Sequence, residues 1–210
     1  MRIVVLGATG RTGRHVVEQA IDRGHTVTAV VRDPTKLRVA GSEPLDVVTA
    51  DVMDPAHLAP VLESHDAVVS ALGPNGNGPT TTCTDSARSI TAAMSKSGLT
   101  RLVVTSAAGI STDGDPLFVR WVVKPILNRI LRHPFNDMRE LERIVVNSGL
   151  DWTIVRPPQL TDRPYTGRFR VNESGSVRGG YRMPRADLAH ALLDAAADPN
   201  TVTATLSVAT

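Results

Sequence analysis

The chain has 210 residues, 41% of them hydrophobic, which is enough for one domain with a substantial core. A net charge of +2, with scattered basic residues and 3% aromatics, excludes nucleic acid as an expected partner. No apolar run approaches the roughly 18 residues of a membrane span, Arg2-Ile3-Val4-Val5-Leu6 does not read as a signal peptide, and a lone cysteine, Cys83, fits a reducing, cytoplasmic setting.

In chain order, short β-branched runs alternate with amphipathic helical stretches, the pattern of a parallel sheet covered by helices. Strand one is expected over 2–6, followed by a helix through residues 15–21 that Gly24 stops at its C′ position. Strand two covers 26–31, and Asp33-Pro34 then reads as an N-cap with proline at the first helical position. Strand three is 45–49, and Asp54-Pro55 repeats the helix-start signal. Strand four is 67–70, followed by a Gly, Pro and Asn-rich loop over 73–79 and a helix over 82–97 closed by Gly98. Strand five is 102–105. A helix over 138–147 follows, started by Asp137 and Glu140 at capping-box-like spacing, and then strand six at 153–155. A last helix over 185–197 precedes a terminal strand near 203–208. Neither repeats nor a linker divide the chain, so the expectation is a single-domain, doubly wound α/β fold of Rossmann type.

Between strand one and its helix lies Gly7-Ala8-Thr9-Gly10-Arg11-Thr12-Gly13. Glycines at this spacing let a backbone turn tightly and approach a pyrophosphate, while the helix N-terminus offers unsatisfied N–H donors. In a strand–turn–helix context the turn predicts dinucleotide binding, although glycine serving only strand–helix packing is the plain alternative. Strand two ends at Val31-Arg32, with Lys36 a helical turn later, and lacks an acidic residue at its end. Cations at the ribose position, together with Arg11, favour NADP(H); Asp33, one residue late, leaves NAD(H) open. Asp51-Val52 follows strand three, where either an adenine contact or a cap for the next helix fits. Ala71, Leu72 and Gly73 line the cofactor's middle. Thr105 and Ser106 stand where nicotinamide and substrate meet. No cluster suggests a metal site.

These residues resemble the atypical short-chain dehydrogenase/reductases, specifically the NAD(P)H-binding (NmrA-like) group that includes flavin reductase/biliverdin-IXβ reductase. The resemblance covers nearly the whole chain. It rests on the glycine turn, Val31-Arg32-Asp33, Asp51-Val52, Leu72-Gly73, Thr105-Ser106, Ser148-Gly149-Leu150, Arg156-Pro157-Pro158-Gln159-Leu160-Thr161-Asp162 and Thr166-Gly167. It implies NADPH binding, with Pro157, Pro158 and Leu160 facing the nicotinamide, and hydride transfer to a flavin or another planar conjugated acceptor.

The departures are informative. The larger superfamily uses Tyr-x-x-x-Lys, but neither Tyr165 nor Tyr181 has lysine four residues on. Met138 and Gln159 stand where relatives carry titratable side chains, which leaves Ser106 and Gln159 as the candidate catalytic groups, or as strand-end packing. Such a site suits a flavin, quinone or tetrapyrrole-like acceptor whose reduced form takes its proton from water; a non-catalytic redox sensor of NmrA-like type is the alternative. The long connection over 110–136 carries Phe118 and Trp121 at helical spacing beside several arginines. It reads as a substrate lid, an extra core helix or a dimer contact. The expected assembly is a monomer or homodimer without a membrane partner.

Overall fold

The computed structural model describes residues 1–37, 45–74, 76–111, 129–173 and 175–210. Its strands and helices follow from two patterns. Strands β1 (Arg2–Leu6), β2 (Thr26–Val31), β4 (Ala67–Ser70) and β5 (Arg101–Thr105) are short runs with apolar residues on both faces, as a sheet covered on both sides demands. Alternate residues feed separate cores. Ile3, Val5, Val27, Ala29, Val69 and Val103 face helices α1 (Arg11–Asp22) and α5 (Arg185–Ala197). Val4, Leu6, Val30, Val68, Leu102 and Val104 face α2 (Pro55–Leu62), α3 (Thr82–Ser97) and α4 (Arg132–Val146).

With β3 (Leu45–Thr49), β6 (Asp151–Arg156), β8 (Arg170–Asn172) and β10 (Ala204–Ala209), the sheet runs in the order β3-β2-β1-β4-β5-β6-β10-β8. All pairs are parallel except β10 with β8. The chain runs outward from β1 to β3 and then returns to β1's other side with β4. That reversal opens a crevice outside the carboxyl ends of β1 and β4. The register brings those ends level, with Leu6 opposite Ser70, Ser70 opposite Val104 and Thr105 opposite Val155. Leu6 carbonyl accepts the Ala71 N–H at 2.9 Å, which carries the β1–β4 pairing one step further.

Several sequence expectations need correction. The helix expected from residue 138 starts at Arg132, because Pro134 falls in its first turn, where the missing N–H costs no bond. Asp137 does not start that helix. It is 5% exposed, and its carboxylate accepts the Cys83 and Thr84 N–H groups at 2.9 Å and the Thr84 hydroxyl at 2.7 Å. It caps α3 from a neighbouring helix, and Glu140 instead pairs with Arg143 at 2.7 Å. Asp33-Pro34 starts only one 3-10 turn, Pro34–Lys36. Unforeseen were β8 and a small parallel pair, β7 (Gln159–Thr161) with β9 (Arg182–Pro184). Phe118 and Trp121, and with them most of the expected lid, lie outside the described residues.

Candidate functional site

Each glycine of the first turn lies close against backbone. Gly7 has φ +79°, and a Cβ there would stand 3.1 Å from the Ala71 and Leu72 backbone at the end of β4. A Cβ on Gly10 would meet the Gly7 carbonyl oxygen at 3.0 Å, and one on Gly13 would meet it at 2.1 Å. That oxygen already accepts the Gly10 N–H at 2.9 Å. α1 begins at Arg11 with Gly10 as N-cap, with neither a side-chain cap nor an acidic residue in its first turn. The Arg14 N–H is the first to bond back, to the Gly10 carbonyl, so the N–H groups of Arg11, Thr12 and Gly13 lack helical acceptors. Ala8 is buried, whereas Thr9, Gly10 and Arg11 are exposed. Uncapped donors at the positive end of a helix, on a turn with no room for side chains, fit a pyrophosphate.

At the end of β2, Arg32 is exposed and has no partner among the described residues. Asp33, in contrast, is occupied: it accepts from the Thr35 N–H at 3.1 Å and the Thr35 hydroxyl at 2.6 Å. Those hydrogen bonds, with Lys36 at 3.5 Å, hold its carboxyl below the usual range. Lys36 thus balances Asp33, and Arg32 is left as the free charge at the strand end. Asp51 accepts the Met53 N–H at 3.0 Å within its own turn, and Asp54 is the residue that caps α2. The capping alternative for Asp51 is therefore excluded. Val52 is buried in the core beside Leu58 and Val30, while the Asp51 side chain remains exposed.

Ala71 and Leu72 are half-buried at the end of β4, and a Cβ on Gly73 would meet open space. Beyond β5 the backbone keeps pairing with the segment after β6. Ser106 N–H donates to Val155 carbonyl at 2.8 Å, and Ala108 N–H donates to Pro157 carbonyl at 2.9 Å. Ser106 is 2% exposed, and the Thr105 and Ser106 hydroxyls are buried without hydrogen-bond partners among the described residues. Both lie at the carboxyl end of β5. Pro157 is buried, Pro158 and Leu160 are half-buried, and Gln159 is exposed where β7 begins. The end of β6 is braced by Arg156, whose guanidinium donates to both Glu142 oxygens at 2.8 and 2.6 Å.

Two ion pairs escaped the sequence reading. Asp162, just after β7, pairs with Arg11 of the glycine turn and with Arg185 at the start of α5. Neither falls at a spacing that local pattern reveals. Among the described residues no group of three His, Cys, Asp or Glu is placed to hold a metal. Nor is any described helix long and apolar enough to cross a membrane.

The glycine turn opens the region in which the chain matches the NAD(P)H-binding family model, over residues 7–199. The chain belongs to that family. A Saccharomyces cerevisiae protein of the UPF0659 group is 29% identical over 221 residues, covering 99% of this chain and 92% of its own. The photosystem II assembly factor Ycf39 of Synechocystis is 42% identical over 71 residues; the match spans 34% of this chain and 22% of the factor. Among solved structures, a short-chain dehydrogenase/reductase of Veillonella parvula in complex with NADP superposes with TM-score 0.83 at 19% identity, covering 100% of this chain and 94% of that one. A Streptococcus pneumoniae protein provisionally assigned as an NADH-flavin reductase gives TM-score 0.76 at 20% identity, covering 100% and 99%. The family member is thus an NAD(P)H-binding protein on a Rossmann fold.

Proposed function

We propose that this single-domain, cytoplasmic protein is an NADPH-dependent reductase that delivers hydride to a flavin or similar planar conjugated acceptor. The observation that carries the reading is the glycine turn. Gly13 leaves no room for a Cβ, Gly7 takes a left-handed backbone, Gly10 is tightly packed, and the turn feeds an uncapped helix N-terminus at the sheet's switch point. In this reading the N–H groups of Arg11, Thr12 and Gly13 bind the pyrophosphate, aided by Ala8, Thr9 and Arg11. Arg32 takes the 2′-phosphate, with Lys36 adding charge nearby, because Asp33 is already engaged by Thr35. Asp51 and Val52 flank the adenine; Ala71, Leu72 and Gly73 leave room for the cofactor's middle. Thr105, Ser106, Pro157, Pro158 and Leu160 form the nicotinamide end, and Ser106 and Gln159 orient the acceptor.

When bound, NADPH supplies the hydride; the chain binds, orients and excludes water. Thr105, Ser106 and Gln159 carry no group that titrates near neutrality. The acceptor must therefore take its proton from water, which a reduced flavin, quinone or tetrapyrrole-like ring does and an isolated ketone does poorly. The same observation favours one second reading, a redox sensor that holds NADP(H) without turnover. Following NADPH absorbance with FMN, riboflavin, a quinone and biliverdin separates the two. Turnover with any acceptor supports the reductase, and tight NADPH binding without turnover across all four sinks it. In Arg32→Ala, loss of the preference for NADPH over NADH is expected; an unchanged preference removes Arg32 from the 2′-phosphate.

A further inference from the structure

The ion pair between Arg11 and Asp162 ties together two parts of the crevice that the fold keeps apart. Arg11 is the first residue of α1, beside the free N–H groups of the turn. Asp162 follows β7, in the segment that leaves β6. In the sheet, β4 and β5 lie between β1 and β6, a span of roughly 14 Å at the usual strand spacing. The pair therefore reaches across the side of the crevice where β4 and β5 end.

The two partners are not held alike. Asp162 uses its other oxygen to accept from Arg185 at 2.8 Å, and Arg185 is only 16% exposed. The chain just beyond Asp162 is pinned as well. Thr166 and Gly167 N–H groups and the Thr166 hydroxyl donate to the fully buried Asp187 at 2.9, 3.0 and 2.6 Å. Tyr165 stacks on His190, its hydroxyl 2.5 Å from Nδ1. Arg11, by contrast, is 59% exposed and has Asp162 as its ion-pair partner among the described residues. The carboxylate is an anchored post and the guanidinium the movable partner.

We infer that Asp162 is a positioning residue for cofactor binding: it parks Arg11 at the mouth of the glycine turn and gives it up to the phosphates when they arrive. This rests on the dinucleotide reading above. Phosphate oxygens accept a guanidinium bidentately and carry more charge than one carboxylate, so they win the exchange. Arg185 keeps Asp162 satisfied after Arg11 leaves, which makes the exchange inexpensive. Both members of the Arg11–Asp162 pair are more than half exposed, so the latch holds Arg11 only weakly, by about two- to five-fold in an equilibrium constant.

The test is a double-mutant cycle on the full chain, with NADPH binding read by fluorescence titration and folding by melting temperature. Asp162→Asn is expected to tighten NADPH by about two- to five-fold, the latch's own weight. Asp162→Glu keeps the charge and is expected to restore near wild-type affinity. Arg11→Ala is expected to weaken binding. In the Arg11→Ala background, Asp162→Asn is expected to have almost no effect, since there is no guanidinium left to release. Equal tightening with and without Arg11 would mean that Asp162 merely repels phosphate, and would overturn the inference. So would unchanged or weaker binding in Asp162→Asn while the wild type binds normally. Absence of NADPH binding by the wild type would instead overturn the dinucleotide reading, and the latch with it.

Discussion

Gly13→Ala sets two elementary effects against each other. Gly13 lies in the first turn of α1, and helix propensity alone predicts that alanine there stabilises the protein by about 1 kcal/mol. Sterics predict the reverse. The new Cβ would sit 2.1 Å from the Gly7 carbonyl oxygen, 2.7 Å from its carbon and 3.0 Å from Ala8 Cα, all backbone atoms. A flexible side chain could swing away, but here the carbonyl must retreat by about 1 Å, and overpacking of this kind costs about 1–3 kcal/mol. Because the obstacle is backbone, the upper end of that range applies, and the net loss is about 2 kcal/mol, or roughly 4–8 °C in melting temperature for a chain of this length. The same retreat pulls on the Gly10 N–H bond to Gly7 and displaces the free donors of α1. NADPH affinity should therefore fall about tenfold or more, since one lost charge-assisted hydrogen bond contributes about that much. Thermal melting and NADPH fluorescence titration measure both effects, with Gly78→Ala as the control, because a Cβ there meets nothing. If Gly13→Ala melts at or above the wild type and binds NADPH equally well, the steric account of the turn is wrong.

Other outcomes follow from the packing. Asp137→Ala removes the carboxylate that caps α3 from α4 and leaves the Cys83 and Thr84 N–H groups buried and unpaired; a loss of about 2–4 kcal/mol in urea unfolding is expected. Cys83 is fully buried, and burial first, then the Asp137 carboxylate, pushes its thiol up to about 12. At pH 8 a thiol reagent should leave the native protein unlabelled and react with one cysteine per chain after unfolding. Above the ordinary 9.0 the unfolded thiol loses its proton first, so the unfolded state binds fewer protons and this contribution falls as pH rises toward about 12. Arg101→Met should cost about 2–4 kcal/mol, because its guanidinium donates to the Asp151, Ala195 and Ala196 carbonyls and the Thr153 and Thr201 hydroxyls, tying β5 and β6 to the C-terminal end of α5. A wild-type midpoint for Arg101→Met in urea unfolding would refute that role.

Local rules made most of the fold legible. The runs at β2, β3 and β4 and the helices at α3 and α5 lie where their composition and punctuation put them, because β-branched residues, Gly98 in the left-handed region at φ +76° and the proline starts act within a few residues. Where the reading slipped, a distant partner had taken over a local signal. Asp137 has the residue type and spacing of a helix start, yet its carboxylate is more useful some fifty positions away in sequence, on α3. Short strands such as β7 and β9 carry only three residues each, too few for a period to show, and exist because each supplies the other's ladder.

The site divides along the same line. The glycine turn is legible because its requirement is steric and local: the three glycines answer one carbonyl and one neighbouring strand end. Asp33 was harder, since its suitability for a ribose depends on whether Thr35 has already claimed the carboxylate, which the structure shows that it has. The Arg11–Asp162–Arg185 group was invisible, because charged residues are scattered along the sequence and only the folded β7 and α5 decide which of them meet. This also says where specificity can change without changing the fold. The glycines of the turn are locked by backbone contacts, and a Cβ at Gly13 fits least of all. Arg32 and Asp162 are exposed side chains whose replacement disturbs no core residue. Cofactor choice and affinity should therefore drift at those two positions first, and paired binding measurements with NADPH and NADH on Arg32 and Asp162 variants would expose that drift before any loss of stability.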